Sequence, residues 1–187
     1  MLHCGLKVQM IQIQSLRDSL NYISRETLND IFASFKCEKD EDIEKFLLDH
    51  AIDYEQKNIC RTFFVMDTDK PGEILGYFSM GMNVMHFDEK IVVKDAYQGI
   101  NLHENGYRPI YKLFMIGKNS NYKNAVKMAN IFNDKLLGYL RIVQEYIGGD
   151  LMYIDCEPQL KKYYSGLGFT YYDTLEEYNL IRMIRKI

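Results

Sequence analysis

The stretch that most restricts this chain runs from Ile110 to Asp155. IYKLFMIG is an almost wholly apolar run of strand length, the pattern of a strand buried on both faces near the middle of a sheet. The polar break KNSNYKN follows at once. From about Ala125 to Tyr146, Met128, Ile131, Phe132, Leu136, Leu140 and Val143 recur at helical spacing and predict one long amphipathic helix. Gly148–Gly149 stops that helix, and LMYID is a short apolar strand. Elements of this kind bury their apolar faces only by layering helix on sheet.

The flanking segments fit the same plan. LKVQMIQI, Leu6 to Ile13, alternates apolar and polar residues with a slip at Met10–Ile11, a strand with a bulge. Helical pattern spans Ser15 to Phe35 and breaks near Ser24, which can cap a second segment beginning RETLNDIF. A further amphipathic helix is predicted from Asp40 to about Gln56, with Ile43, Phe46, Leu47, His50 and Ala51 facing inward. RTFFVMD and EILGYFSMGMNVM read as strands joined by the turn TDKPGE, an antiparallel hairpin from Arg61 to about Met85. His86 to Pro109 is irregular, either a functional loop or a surface excursion with a short strand at IVV. Pro158 suits the first turn of a short helix to Tyr164, and FTYYD and YNLIRMIRKI close the chain as strands. The order β, αα, ββ, β, α, β, α, ββ predicts a mixed α/β fold. It is built on a single twisted central sheet flanked by helices, as one domain over residues 1–187.

Composition narrows the function classes. A hydrophobic content of 47% can fill a core, which excludes a disordered chain. A net charge of −3 with dispersed Lys and Arg carries no basic run, so nucleic acid is not expected as a partner. The chain has no apolar run of membrane-spanning length, and membrane association is not expected. Cys4, Cys37, Cys60 and Cys156 are far apart and form no CxxC pair, which predicts reduced thiols in a cytoplasm. His3, His50, His86 and His103 make no HExxH or Cys–His set, so no metal site is predicted.

Two places could carry chemistry. A helix start offers free N–H groups and partial positive charge, so the KNSNYKN break, with Lys118, Lys123 and Lys127, can hold a phosphate. The other is KKYYSGLGF, where Tyr163–Tyr164 close a short helix beside two glycines. Either the tyrosines pack on neighbouring strands with Gly166 as the C-cap, or one phenol is aimed into a cleft as a general acid.

Three segments together resemble the GNAT superfamily of acetyl-CoA-dependent N-acetyltransferases. They are ILGYFSM after a hairpin turn, IYKLFMIGKNSNYKN with its helix, and IGGDLMYIDCEPQLKKYYSGLGF. The most specific is Tyr163-Tyr164-Ser165-Gly166-Leu167-Gly168-Phe169, which follows the family pattern FYxxxGF. The resemblance covers the chain from about Phe35 to its end and implies acetyl-CoA as cosubstrate. It implies that Met115, Ile116, Gly117 and Lys118 bind the pantetheine arm at a splayed strand end, and that Tyr164 protonates the departing thiolate. Tyr163 is then a packing residue. The family phosphate loop, Q/R-x-x-G-x-G/A, maps onto Asn124-Ala125-Val126-Lys127-Met128-Ala129, which keeps only the final small residue. Asn124, Lys127 and Ala129 are the expected phosphate contacts, with Lys127 supplying charge where glycines are missing. Glu157 stands where many members have an asparagine. The general base is open among Ser79, His86, His103 and Glu104.

The resemblance implies direct transfer of an acetyl group to a small-molecule or peptide amine. Cys60 or Cys156 as an acyl-carrying nucleophile is the weaker expectation. Two rivals stand beside the enzyme: a GNAT-fold binding module without catalysis, and a toxin-type acetyltransferase acting on charged tRNA. The apolar final strand looks like a sheet edge to be covered, which favours a homodimer.

Overall fold

The computed structural model describes residues 11–70, 72–87, 106–122 and 124–187. The segment Leu6–Met10, its bulge, Lys123, most of the loop from His86 to Pro109, and with it His103 and Glu104, lie outside the described residues.

Seven strands form a sheet in the order β1-β2-β3-β4-β5-β7-β6. They are β1 (Ile11–Ser15), β2 (Arg61–Asp67), β3 (Ile74–His86), β4 (Tyr107–Lys118), β5 (Leu151–Cys156), β6 (Thr170–Leu175) and β7 (Leu180–Lys186). The chain divides into two compact units, Met1–Ser79 with Met115–Ile131, and Met80–Phe114 with Phe132–Ile187.

In the first unit β1 pairs antiparallel with β2, from Ile11↔Asp67 to Ser15↔Phe63. Ser15 ends the strand and its hydroxyl accepts from the Asp18 N–H, starting the short helix Leu16–Ser19. Ser24 caps the helix Arg25–Ala33 in the same way through the Thr27 N–H, as the sequence predicts, and Leu28 and Phe32 fill its buried face. Asp40 caps Glu41–Lys45, which runs through a π-helical turn at Phe46–His50 into Ala51–Gln56. That turn overturns one expectation. The extra residue per turn rotates everything after it, so Ala51, Ile52 and Glu55 turn inward and His50 is exposed. Glu55 is only 1% exposed and is fully engaged, with Arg17 at 3.3 Å, Arg61 at 3.0 Å and the Thr62 N–H at 3.1 Å.

In the second unit β5 and β7 pair antiparallel from Leu151↔Lys186 to Cys156↔Ile181, and β6 pairs antiparallel with the other side of β7. The expectation of β7 as an exposed edge is therefore wrong: β7 lies between β5 and β6, which is why LIRMIRK is apolar. Met85, Phe87, Ile110, Leu151, Tyr153 and Ile184 form one packed cluster. Beside it Arg182 grips the Asp155 carboxylate through two bonds of 2.7 and 2.9 Å and lies 4.6 Å over the Tyr153 ring. The long helix begins at Met128 rather than Ala125, passes a π-helical turn at Ile131–Leu136 and ends at Ile147 on the left-handed Gly148. Among the described residues no helix is long and apolar enough to cross a membrane.

Candidate functional site

In the first unit the predicted cofactor residues follow one another along a single path. Met115, Ile116, Gly117 and Lys118 are the last residues of β4, with Ile116 and Gly117 buried. Gly117 is flush against its neighbours: a Cβ there would lie 2.4 Å from Ile43 Cγ2. Gly76 on β3 is also tightly held, and against backbone: a Cβ would lie 2.5 Å from Ile131 Cδ1 and 2.8 Å from the Gly117 carbonyl oxygen. The strand then meets Asn119, which is 1% exposed, and a 3-10 turn at Ser120–Tyr122. Asn124 and Lys127 are exposed and Ala129 is half-buried. Lys127 is the helix N-cap with φ −90° and ψ 140°, its carbonyl accepting from Asn130 and Ile131. No hydrogen bond among the described residues takes up the N–H groups of Val126, Lys127, Met128 or Ala129. A row of such donors at a helix start is suited to an anion.

Asn119 is the residue that sequence reasoning missed. An asparagine at the end of an apolar strand can hydrogen-bond neighbouring backbone, and here its amide does so in three directions. Nδ2 donates to the Ile74 carbonyl at 2.9 Å, while Oδ1 accepts from the N–H groups of Lys36 at 3.3 Å and Asn121 at 3.0 Å.

In the second unit the parallel ladder between β4 and β5 covers Tyr111↔Met152 and Lys112↔Tyr153 and then stops, although β5 runs on to Cys156. Tyr164 lies in the helix Lys161–Gly166 and is 7% exposed. Its ring meets Tyr163 and Phe169 edge-on, at 5.2 and 5.7 Å between centroids. Tyr163 is not a core residue, as predicted, but 42% exposed: successive helical positions face about 100° apart, so only one of the pair can turn inward. Nor is Gly166 the C-cap. It is the last helical residue, and the left-handed position is Gly168 with φ +85°, after which the Phe169 N–H returns to the Tyr164 carbonyl at 3.0 Å.

Of the candidate bases within the described residues, Ser79 is engaged in the core and His86 is exposed. Ser79 is fully buried and shares a 2.8 Å hydrogen bond with Thr62, and the His86 ring stacks edge-on with Tyr107. Glu157 is exposed and accepts from Gln159. The thiols are poor nucleophiles. Burial, with the Glu55 carboxylate adding to it, pushes Cys60 up to about 12, and burial first, then Asp155 and Glu157, push Cys156 up to about 11. At about pH 8, iodoacetamide is expected to leave Cys37, Cys60 and Cys156 unlabelled in the native protein and to label them in denaturant, read by mass spectrometry. The same burial makes the fold alkali-sensitive. The Cys60 thiol of the unfolded chain ionises from 9.0 upward while the folded one holds its proton to about 12, so stability present below pH 9.0 drains away across that window.

A separate cavity of about 320 Å³ lies in the first unit, lined by Gln12, Gln14, Phe32, Phe64, Met66 and neighbours, and none of the predicted site residues borders it.

No protein-family model and no curated protein matches the chain. Solved structures do. A bacterial toxin superposes with a TM-score of 0.71 at 16% identity, over 96% of this chain and 92% of the other. AtaT complexed with acetyl-methionyl-tRNAfMet gives 0.67 at 15% identity, over 95% of each chain. A tyrosine-to-phenylalanine mutant of KacT gives 0.65 at 16% identity, again over 95% of each. The chain has the GNAT fold.

Proposed function

We propose that this chain is an acetyl-CoA-dependent N-acetyltransferase that acts on a primary amine by direct transfer in a ternary complex. The observation that carries the proposal is the β4–β5 ladder, which ends after Lys112↔Tyr153 and leaves strand groups that an extended arm can join as an added strand. Met115, Ile116, Gly117 and Lys118 hold the pantetheine arm through their backbone. The N–H groups from Val126 to Ala129 receive the pyrophosphate, with Asn124 and Lys127 at its side. The neutral amine nitrogen attacks the thioester carbonyl carbon, a strand N–H polarises the carbonyl oxygen, and the C–S bond breaks. Tyr164 gives its phenolic proton to the departing sulfur, and water carries off the proton that the amine releases. The free, buried thiols support work in a reducing cytoplasm.

One second reading has a specific observation behind it. AtaT, of this fold, is seen with acetyl-methionyl-tRNAfMet, and related structures carry acetyl-CoA, an antitoxin or DNA. The expectation against nucleic acid rests on a net charge of −3 and on Lys and Arg dispersed without a basic run, and that ground is too thin against such neighbours. The amino group of a charged tRNA therefore joins peptides and small amines as an acceptor to be tried.

The experiment is incubation with radiolabelled acetyl-CoA and, separately, charged tRNA, peptides and small amines. Label passing to any of them supports the enzyme and names its acceptor; calorimetry without detectable acetyl-CoA binding would overturn it. Lys127→Ala, at an exposed position, is expected to weaken acetyl-CoA binding about three- to tenfold without lowering the melting temperature.

A further inference from the structure

We propose that Asn119 is a positioning residue for the coenzyme, doing through a buried side-chain amide what glycines do in the usual phosphate loop; this rests on the coenzyme reading above. Between Asn119 and Ala129 the chain has no glycine, and none of the described residues there has a positive φ, so the loop is not moulded by left-handed backbone. It is fixed instead at its root. The Asn119 N–H donates to the Leu75 carbonyl at 2.9 Å and Nδ2 to the Ile74 carbonyl at 2.9 Å, which ties the loop's first residue to the start of β3. Oδ1 accepts from the Lys36 and Asn121 N–H groups.

The next residues extend that tie along the same segment. The Ser120 N–H donates to the Lys36 carbonyl at 2.7 Å, the Ser120 hydroxyl accepts from the Glu38 N–H at 3.0 Å, and Asn121 Nδ2 donates to the Ser34 carbonyl at 3.0 Å. The Tyr122 N–H returns to the Asn119 carbonyl and the Ala125 N–H to the Tyr122 carbonyl. The N–H groups of Asn119, Ser120, Asn121, Tyr122 and Ala125 are thus consumed within the protein. Among the described residues no hydrogen bond takes up the series from Val126 to Ala129, which leads into the helix that begins at Met128. Asn119 is 1% exposed, so it acts by fixing where that series begins and not by touching the ligand. Donors held in place before binding need no ordering when the phosphates arrive, and that saving appears as affinity.

The test is calorimetry with acetyl-CoA on the wild type, Asn119→Ala and Asn121→Ala, with melting curves recorded for each. A purely structural loss reduces the number of binding sites per chain and leaves the Kd of the folded fraction unchanged. A positioning loss raises the Kd at one site per chain. Asn119→Ala is expected to raise it about tenfold. Asn121→Ala, whose exposed side chain makes a single tie, is expected to raise it about two- to threefold and serves if Asn119→Ala does not fold. A Kd within about twofold of wild type for a folded Asn119→Ala, or an unchanged Kd for Asn121→Ala where that variant must serve, overturns the proposal. A wild type that does not bind overturns the coenzyme reading first, and that is visible before any variant is measured.

Discussion

Tyr164→Phe is expected to lower the rate of acetyl transfer about a hundredfold or more while leaving acetyl-CoA affinity within about twofold. The change removes one oxygen. The ring, which packs against Tyr163 and Phe169, is kept, so the variant should fold, with a melting temperature no more than roughly 5 °C lower. The rate falls because the thiolate of coenzyme A would then leave without a proton donor at hand. Single-turnover transfer to the acceptor found by screening, compared at low and high pH, is the measurement. A rate equal to wild type would remove Tyr164 from the chemistry, whereas Tyr163→Phe, at an exposed ring, should leave the rate unchanged.

The largest effect on stability is expected at Gly76. An alanine there would place its Cβ 2.8 Å from the Gly117 carbonyl oxygen, and a backbone atom in a sheet cannot step aside as a side chain can. Ile131 Cδ1, 2.5 Å away, can rotate; the carbonyl must be pushed with its strand. Gly76→Ala should therefore cost about 2–3 kcal/mol in urea titration and lower the melting temperature by roughly 5–10 °C. Because the displaced carbonyl belongs to the end of β4, acetyl-CoA affinity should fall in the same variant. Gly138→Ala, where no atom lies within 4 Å of the new Cβ, is the matched control and should be neutral or slightly stabilising.

The element order was legible in the sequence because each element announces itself locally. Ser24 and Asp40 cap helices through their own side chains, Gly148 ends one by its φ of +72°, and the apolar run before Gly117 is the central strand. What was not legible depends on partners far along the chain. The π-helical turn at Phe46–His50 has no sequence signal, yet it decides that His50 faces water. The apolar character of β7 reads equally as an uncovered edge or an interior strand; only its pairing with both β5 and β6 separates the two. The candidate site divides along the same line. Tyr164 and the strand end are proposed from a motif, whereas Asn119 bonds to Ile74, Leu75 and Lys36, dozens of positions away.

With β7 inside the sheet, the rim on that side is β6, and its make-up bears on how copies of the chain behave at high concentration. β6 is only Thr170–Leu175, its register with β7 slips between Tyr171 and Asp173, and Asp173 puts a carboxylate on the slipped stretch. A short, kinked and charged rim is a poor template for a further strand, since a newcomer would find its hydrogen bonds out of step within three residues. The strand with the strongest tendency to stack, LIRMIRK, is shielded behind it on one side and by β5 on the other. Sheet-to-sheet accretion through this side is thereby disfavoured for as long as β6 remains zipped to β7.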